Sequence, residues 1–278
     1  TQVPKRYLPQ LSLAERDRRW DQLRKRMLLA RLDALVFLGN DIYWDMGIAN
    51  IRYVFSVASK IALYGAFFID QPPVIWNSVA HMNRPHNFLH STQDWVGDIR
   101  PFRGLGEIAA EMRAKGLDRS RIGLVAYSST IQTTPTLLHG EVEELKKALP
   151  NAELIDASWM LEQMRLVKSE EEIGMLRKAG KIARKVVDAM VATAKPGATE
   201  AEVFAEMIRT QIANGGEPNI FNLFASGPVE HSTGELWHTL HGCEQPLTPT
   251  MRPCPVSTTS RAVGTTRRGA SSGPCTSS

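Results

Sequence analysis

The 278-residue chain is long enough for one large domain or two ordinary ones, and no apolar run in it approaches the roughly 20 residues that cross a bilayer. An apolar share of 43% and a charged share of 22% match ordinary globular proteins and exclude a fibrous or wholly disordered chain. The formal net charge of +4 does not mark a nucleic-acid surface, because Arg261, Arg267 and Arg268 sit in an acid-free stretch while Lys/Arg and Asp/Glu interleave elsewhere.

Ser12 and Glu15 have the spacing of a capping box, and Leu13, Trp20, Leu23, Met27 and Leu28 recur at helical intervals, which predicts a first helix. The run from Asp33 to Gly39 suits a buried strand. Strands are also expected over Ile61–Ile69 and Val74–Asn77, paired across the turn Asp70-Gln-Pro-Pro73. Gly104–Lys115 reads as a helix stopped by Gly116, Arg121–Ala126 as a strand, and Pro135–Leu149 as an amphipathic helix stopped by Pro150. Glu153–Ile155 reads as a short strand, with Asp156 capping a helix that runs to about Leu166. Helices and strands alternating in this way predict a layered α/β domain.

From Val167 the pattern changes. Ser169 and Glu172 form a second box ahead of a long periodic helix that ends at Lys195-Pro-Gly197. Thr199 and Glu202 form a third, opening a helix that stops at Gly215-Gly216, and Ile220–Ala225 reads as a strand. Residues 253–278 hold no Leu, Ile, Met, aromatic, Asp, Glu or Lys, a composition that predicts disorder.

Cys243, Cys254 and Cys275 form no C-x-x-C pair, so neither a disulfide framework nor a zinc ribbon is expected. Lys5 and Arg6 are followed by no apolar stretch, so no signal peptide is expected and the compartment reads as cytoplasmic. Gly104-Leu-Gly106 lacks the third glycine of a dinucleotide fingerprint and reads as the loop before a helix.

Six of the seven histidines fall in two groups. His81, His86 and His90 occupy a polar, loop-like segment that reads as solvated or as lining a cleft. His231, His238 and His241 lie near Glu230, Glu235 and Cys243. His238-x-x-His241 can present two metal ligands from one helical turn, one of the three can act as a proton donor, or all three are ordinary loop histidines. The residue chemistry leaves these alternatives open.

The run from Met164 through Ser169-Glu-Glu-Glu172 to Ala179 resembles the first catalytic-domain helix of the pita-bread metallohydrolases, the creatinase, prolidase and aminopeptidase P group. Pro196-Gly-Ala-Thr-Glu200 is similar to the loop before that family's second helix. Arg24-Lys-Arg-Met27, Asp33-Ala-Leu-Val36 and Asn50-Ile-Arg-Tyr53 are similar to its N-terminal domain. The resemblance implies an α/β fold. A creatinase-like mixed-sheet domain over 1–163 precedes an incomplete pita-bread (α+β) catalytic domain over 164–252, and 253–278 form a disordered tail.

The resemblance further implies hydrolysis of the Xaa-Pro aminopeptidase or dipeptidase type on small peptides. In the family two divalent metals, often manganese, cobalt or zinc, are held by two Asp, one His and two Glu and activate a water. A histidine shortly before the first metal-binding strand binds substrate or moves a proton. His241, about ten residues before Met251-Arg-Pro253, fits that position, with His238 and His231 as the further candidates. A metal-independent creatinase-like amidinohydrolase or lyase acting on an amidine-type substrate, or a non-catalytic binding module, are the alternatives. A homodimer is expected, with no nucleic-acid or membrane partner.

The family pattern continues after such a Met-Arg-Pro with a Gly-Asp turn, which is absent from Cys254 onward, and no Asp or Glu follows Glu244. No residue is therefore assigned as a metal ligand. The expectations are a chain without bound cofactor, inactive as it stands, with an out-of-frame or truncated tail. Bare apolar faces are expected on the helices at 169–193 and 199–214.

Overall fold

The structure, a computed structural model, describes residues 11–39, 46–57, 62–77, 93–126 and 137–217. Six strands form one sheet: β1 (Ala34–Gly39), β2 (Leu63–Phe68), β3 (Val74–Asn77), β4 (Asp98–Pro101), β5 (Arg121–Val125) and β6 (Glu153–Asp156). Their order is β4-β3-β2-β1-β5-β6. β1 pairs antiparallel with β2, as β2 does with β3, whereas β1–β5, β5–β6 and β3–β4 are parallel. This is the mixed-sheet α/β architecture that the sequence predicts.

Helices cover both faces: α1 (Leu13–Ala30), α2 (Ala49–Phe55), α3 (Leu105–Ala114), α4 (His139–Ala148) and α5 (Ser158–Leu166). β1 lies centrally, so every residue of Ala34-Leu-Val-Phe-Leu-Gly39 is buried, and the strand is a continuous apolar run. Leu35 and Phe37 face Leu23 and Met27 of α1, Ile51 and Phe55 of α2, and Met160 and Leu161 of α5. Ala34, Val36 and Leu38 point the other way, onto Ile108 and Met112 of α3 and Leu145 of α4. Fully buried side chains such as Leu23 and Met27 each stabilise the fold by about 1.5–3 kcal/mol. At Gly123 on β5 an added Cβ would lie 2.6 Å from Leu35 Cδ2 and 2.7 Å from the Ala157 Cβ, so only glycine lets α5 approach the sheet there.

Two further helices follow, α6 (Glu170–Thr193) and α7 (Glu200–Ala213). Both predicted capping boxes are complete: Ser169 with Glu172, and Thr199 with Glu202, exchange bonds in both directions. Within the described residues, the span expected to open the pita-bread part holds the end of α5 and these two helices. Bare apolar surface is present as expected. α6 has no buried residue, Leu176, Val187 and Val191 are 58%, 48% and 66% exposed, and Ile212 of α7 is 51% exposed.

Several local expectations need correction. Ser12 does accept from the Glu15 amide, but the Glu15 carboxylate turns to Arg18 and Arg19 instead of closing the box. The helix predicted from Pro135 begins at His139, because Leu138 is extended and its backbone cannot continue a helical turn. Asp156 ends β6 and accepts from the Ser158 amide at 2.9 Å, while Ala157 occupies the cap position.

Two elements went unpredicted. α2, behind a 3-10 turn at Met46–Ile48, is seven residues long, and its N-cap Ile48 offers no side-chain cap. β4 carries Asp98 and Arg100, charges suited to a sheet edge but not to a strand pattern. The strand predicted at Ile220–Ala225 and the tail at 253–278 lie outside the described residues.

Candidate functional site

Among the described residues a polar cluster joins the first two turns of α1 to the first turn of α6. Arg19 is buried, and each face of its guanidinium has a partner. Its Nε donates to Glu15 at 2.8 Å, one Nη donates to the Tyr53 carbonyl at 2.7 Å, and the other lies 3.0 Å from Glu172. The Tyr53 ring stacks 3.9 Å from the guanidinium carbon, and Trp95 lies 5.4 Å away. Such pairing is what a buried charge requires.

Arg18 grips both Glu15 oxygens at 2.7 Å and lies 3.6 Å from Glu172. Burial raises the Glu15 carboxyl, but the hydrogen bonds from Arg18 and Arg19 outweigh it and hold the group below its ordinary value. Burial likewise pushes the Tyr53 hydroxyl up, which keeps it neutral. These residues form a latch between α1, α2 and α6.

A second polar cluster lies at the carboxyl ends of the parallel strands β1 and β5, the edge where α/β sheets commonly place ligands. Asn50, buried on α2, donates to the Ala126 carbonyl at 2.6 Å and accepts from Arg165 of α5 at 3.1 Å. The Ser158 hydroxyl accepts from the Ala126 amide at 3.0 Å. The Asn50-Ile-Arg-Tyr53 motif thereby acquires structural work at each residue. Asn50 ties β5 to α5, Ile51 packs in the core, Arg52 pairs with Glu217, and the Tyr53 hydroxyl reaches the Met164 carbonyl at 3.4 Å. Its order in the sequence revealed the motif; these roles needed the fold.

On the opposite face, the Tyr64 hydroxyl donates to Glu141 of α4 at 2.8 Å, beneath a stacking contact with Phe102 at 4.0 Å. Burial, with Glu144 adding to it, raises the Glu141 carboxyl despite the Tyr64 bond. Its second oxygen is buried with no hydrogen-bond partner among the described residues. No sequence signal marked this pair, since neither residue belongs to a motif.

His231, His238 and His241 lie outside the described residues, as do His81, His86 and His90. His139, exposed at the start of α4, is the one histidine within them. Among the described residues no group of three or more His, Cys, Asp or Glu is placed to hold a metal ion, so the donor set expected of a hydrolytic metal centre is not met by them. Gly104-Leu-Gly106 is the loop into α3, with Gly104 at φ +149° in the cap position, as predicted. No described helix is long and apolar enough to cross a membrane.

Comparison with known proteins places this architecture. The chain is 37% identical over 93 residues to an Xaa-Pro dipeptidase of Pyrococcus horikoshii, covering 33% of this chain and 26% of that protein. It is 36% identical over 92 residues to an uncharacterized hydrolase/peptidase, y4tM, of Sinorhizobium fredii, covering 33% and 23%. The chain thus spans about a quarter of the length of these curated relatives.

Among solved structures, the prolidase from Pyrococcus horikoshii superposes with a TM-score of 0.52 at 20% identity, over 71% of this chain and 49% of that one. The X-Pro aminopeptidase from Thermotoga maritima gives 0.56 at 16%, over 71% and 50%. At those identities the likeness concerns the fold. Residues 19–167 match the Creatinase/Prolidase N-terminal domain, over the sheet and the helices that flank it. The chain belongs to that family.

Proposed function

We propose that this chain is built for hydrolysis of the Xaa-Pro dipeptidase or aminopeptidase type and is inactive in the form it takes here. The observation that carries the reading is the 37% identity over 93 residues to the Xaa-Pro dipeptidase, together with the family match over 19–167. In this reading residues 1–163 are the N-terminal domain, 164–252 the opening of the catalytic domain, and 253–278 a tail outside the family pattern. The latch of Glu15, Arg18, Arg19 and Glu172 orients α6, the first helix of the catalytic part, against the N-terminal domain.

A small peptide is the substrate, and a divalent metal supplies the activated water in a complete family member. His241, with His238 and His231 behind it, contacts the substrate or moves its proton. The proposed inactivity is motivated by the loss of the family pattern from Cys254 onward, where the expected Gly-Asp turn does not appear. The protein works as a cytoplasmic homodimer.

The test is cleavage of an X-Pro dipeptide by the purified chain with Mn²⁺, Co²⁺ or Zn²⁺, beside the product of any alternative frame found by resequencing codons 245–260. No turnover by this chain and metal-dependent turnover by the restored product are expected. Metal-dependent cleavage by this chain would overturn its inactivity. Metal-free hydrolysis of creatine by the restored product would favour the amidinohydrolase instead.

A further inference from the structure

A cleft of about 300 Å³ opens between α1 and the segment that links α5 to α6. Three cations line it, Arg18 and Arg26 from α1 and Lys168 from the link, with Gln22 and Gln163 beside them and no carboxylate in the lining. Arg18, Gln22 and Arg26 stand at successive four-residue intervals, so one face of α1 presents all three. The side chains of Gln22, Arg26 and Gln163 make no hydrogen bond or ion pair among the described residues. Arg18 is already committed, bidentate to Glu15 and beside Glu172 and the Tyr53 hydroxyl, so Arg26 and Lys168 carry the charge available to a ligand. Lys168 donates to the Arg165 and Leu166 carbonyls, which leaves one of its three protons.

We infer that this cleft binds a small oxyanion, a phosphate or the carboxylate of a short peptide. Arg26 and Lys168, with Gln22 and Gln163, converge with no carboxylate in the lining and suit a ligand with two or three negative oxygens, and charge-assisted bonds to guanidinium are the strongest such contacts. The apolar flank from Met164 and Val167 accommodates the remainder of a peptide but offers nothing to a free metal cation. A bound anion bridges α1 to the residues immediately before α6, next to the latch, and so stiffens the junction. The inference stands independently of the hydrolase reading, since it uses none of the catalytic candidates.

Isothermal titration of the full chain with inorganic phosphate, and separately with glycylleucine, tests it at an ionic strength held constant with sodium chloride. Saturable binding of at least one probe is expected, weakened about tenfold or more in Arg26→Gln and in Lys168→Gln. Arg119→Gln, at a cation outside the cleft, should leave it unchanged. Binding of phosphate alone assigns a tetrahedral oxyanion, binding of the dipeptide alone a terminal carboxylate, and binding of both the chemistry they share. Failure of both probes to saturate overturns the site, as does equal affinity in both cleft variants, or a loss in Arg119→Gln as large as theirs. The thermal midpoints of the unliganded variants, expected to match the parent, show that each folds.

Discussion

Glu171, in the first turn of α6, accepts two hydrogen bonds from Ser12 at the start of α1, from the backbone amide at 2.5 Å and from the hydroxyl at 2.7 Å. The two residues are 159 positions apart. With Glu172 meeting Arg18 and Arg19 beside it, the opening turn of the long helix is fastened by polar contacts, while none of α6 is buried. The N-terminal domain rests on apolar packing. Its junction to α6 depends on charge, and such contacts weaken with salt where they are exposed.

Acid should loosen this junction first. The Glu15 carboxyl sits below its ordinary value, so it contributes stability that is present above the unfolded-state value near 4.5 and is lost as pH falls through the lower folded value. Thermal midpoints measured from pH 6 down to pH 3 should fall, and Glu15→Gln should flatten that acid limb while lowering the midpoint at pH 7. An acid limb of equal steepness in the variant would rule out Glu15 as its source.

Glu141 has the opposite sign. Its carboxyl is raised by burial, so the folded state favours the protonated form, and the stability this confers below the unfolded value is lost as pH rises through the raised one. Glu141→Gln keeps an acceptor for Tyr64 and removes the charge. It should stabilise the protein at pH 7 by up to about 1 kcal/mol, read by urea unfolding. A destabilised variant would show that the ionised carboxylate is well accommodated after all.

Ser158→Ala should destabilise by about 1–3 kcal/mol, because the buried Ala126 amide loses the Ser158 hydroxyl that accepts from it at the carboxyl edge. Gly123→Ala should destabilise by about 1–3 kcal/mol or more through overlap with Leu35 and Ala157. Denaturant midpoints check both, and a neutral Gly123→Ala would mean that α5 can shift outward freely.

The apolar face of α6 should make the chain associate as its concentration rises. Sedimentation velocity is expected to show this for the parent, and Leu176→Glu with Val191→Glu should abolish it, since both positions are exposed on one helix. A parent that stays monomeric across the range would rule out this face as a self-association surface.

Much of the architecture was legible because it is locally encoded. The strands Ala34–Gly39 and Val74–Asn77 and the helices opened by Ser169 and Thr199 carry their apolar period and their caps in consecutive residues. α2 and β4 were missed because neither has a cap or a period to announce it. Their order comes from the core beneath Ile51 and Phe55 and from pairing with β3. The Asn50 motif was visible as a motif, but its partners Ala126 and Arg165 are remote in sequence.

By itself, the sequence determined the α/β class, the succession of most elements, the family resemblance and the break in pattern after Met251-Arg-Pro253. Capping, periodicity and motif order act over a few residues, so they can be read without coordinates. Only the tertiary structure decided the mixed strand order, the pairing of Arg19 with Glu172, the half-buried Tyr64–Glu141 couple and the cationic cleft beside α1. Each depends on groups brought together from distant parts of the chain by burial, and no local signal encodes which charge will meet which partner.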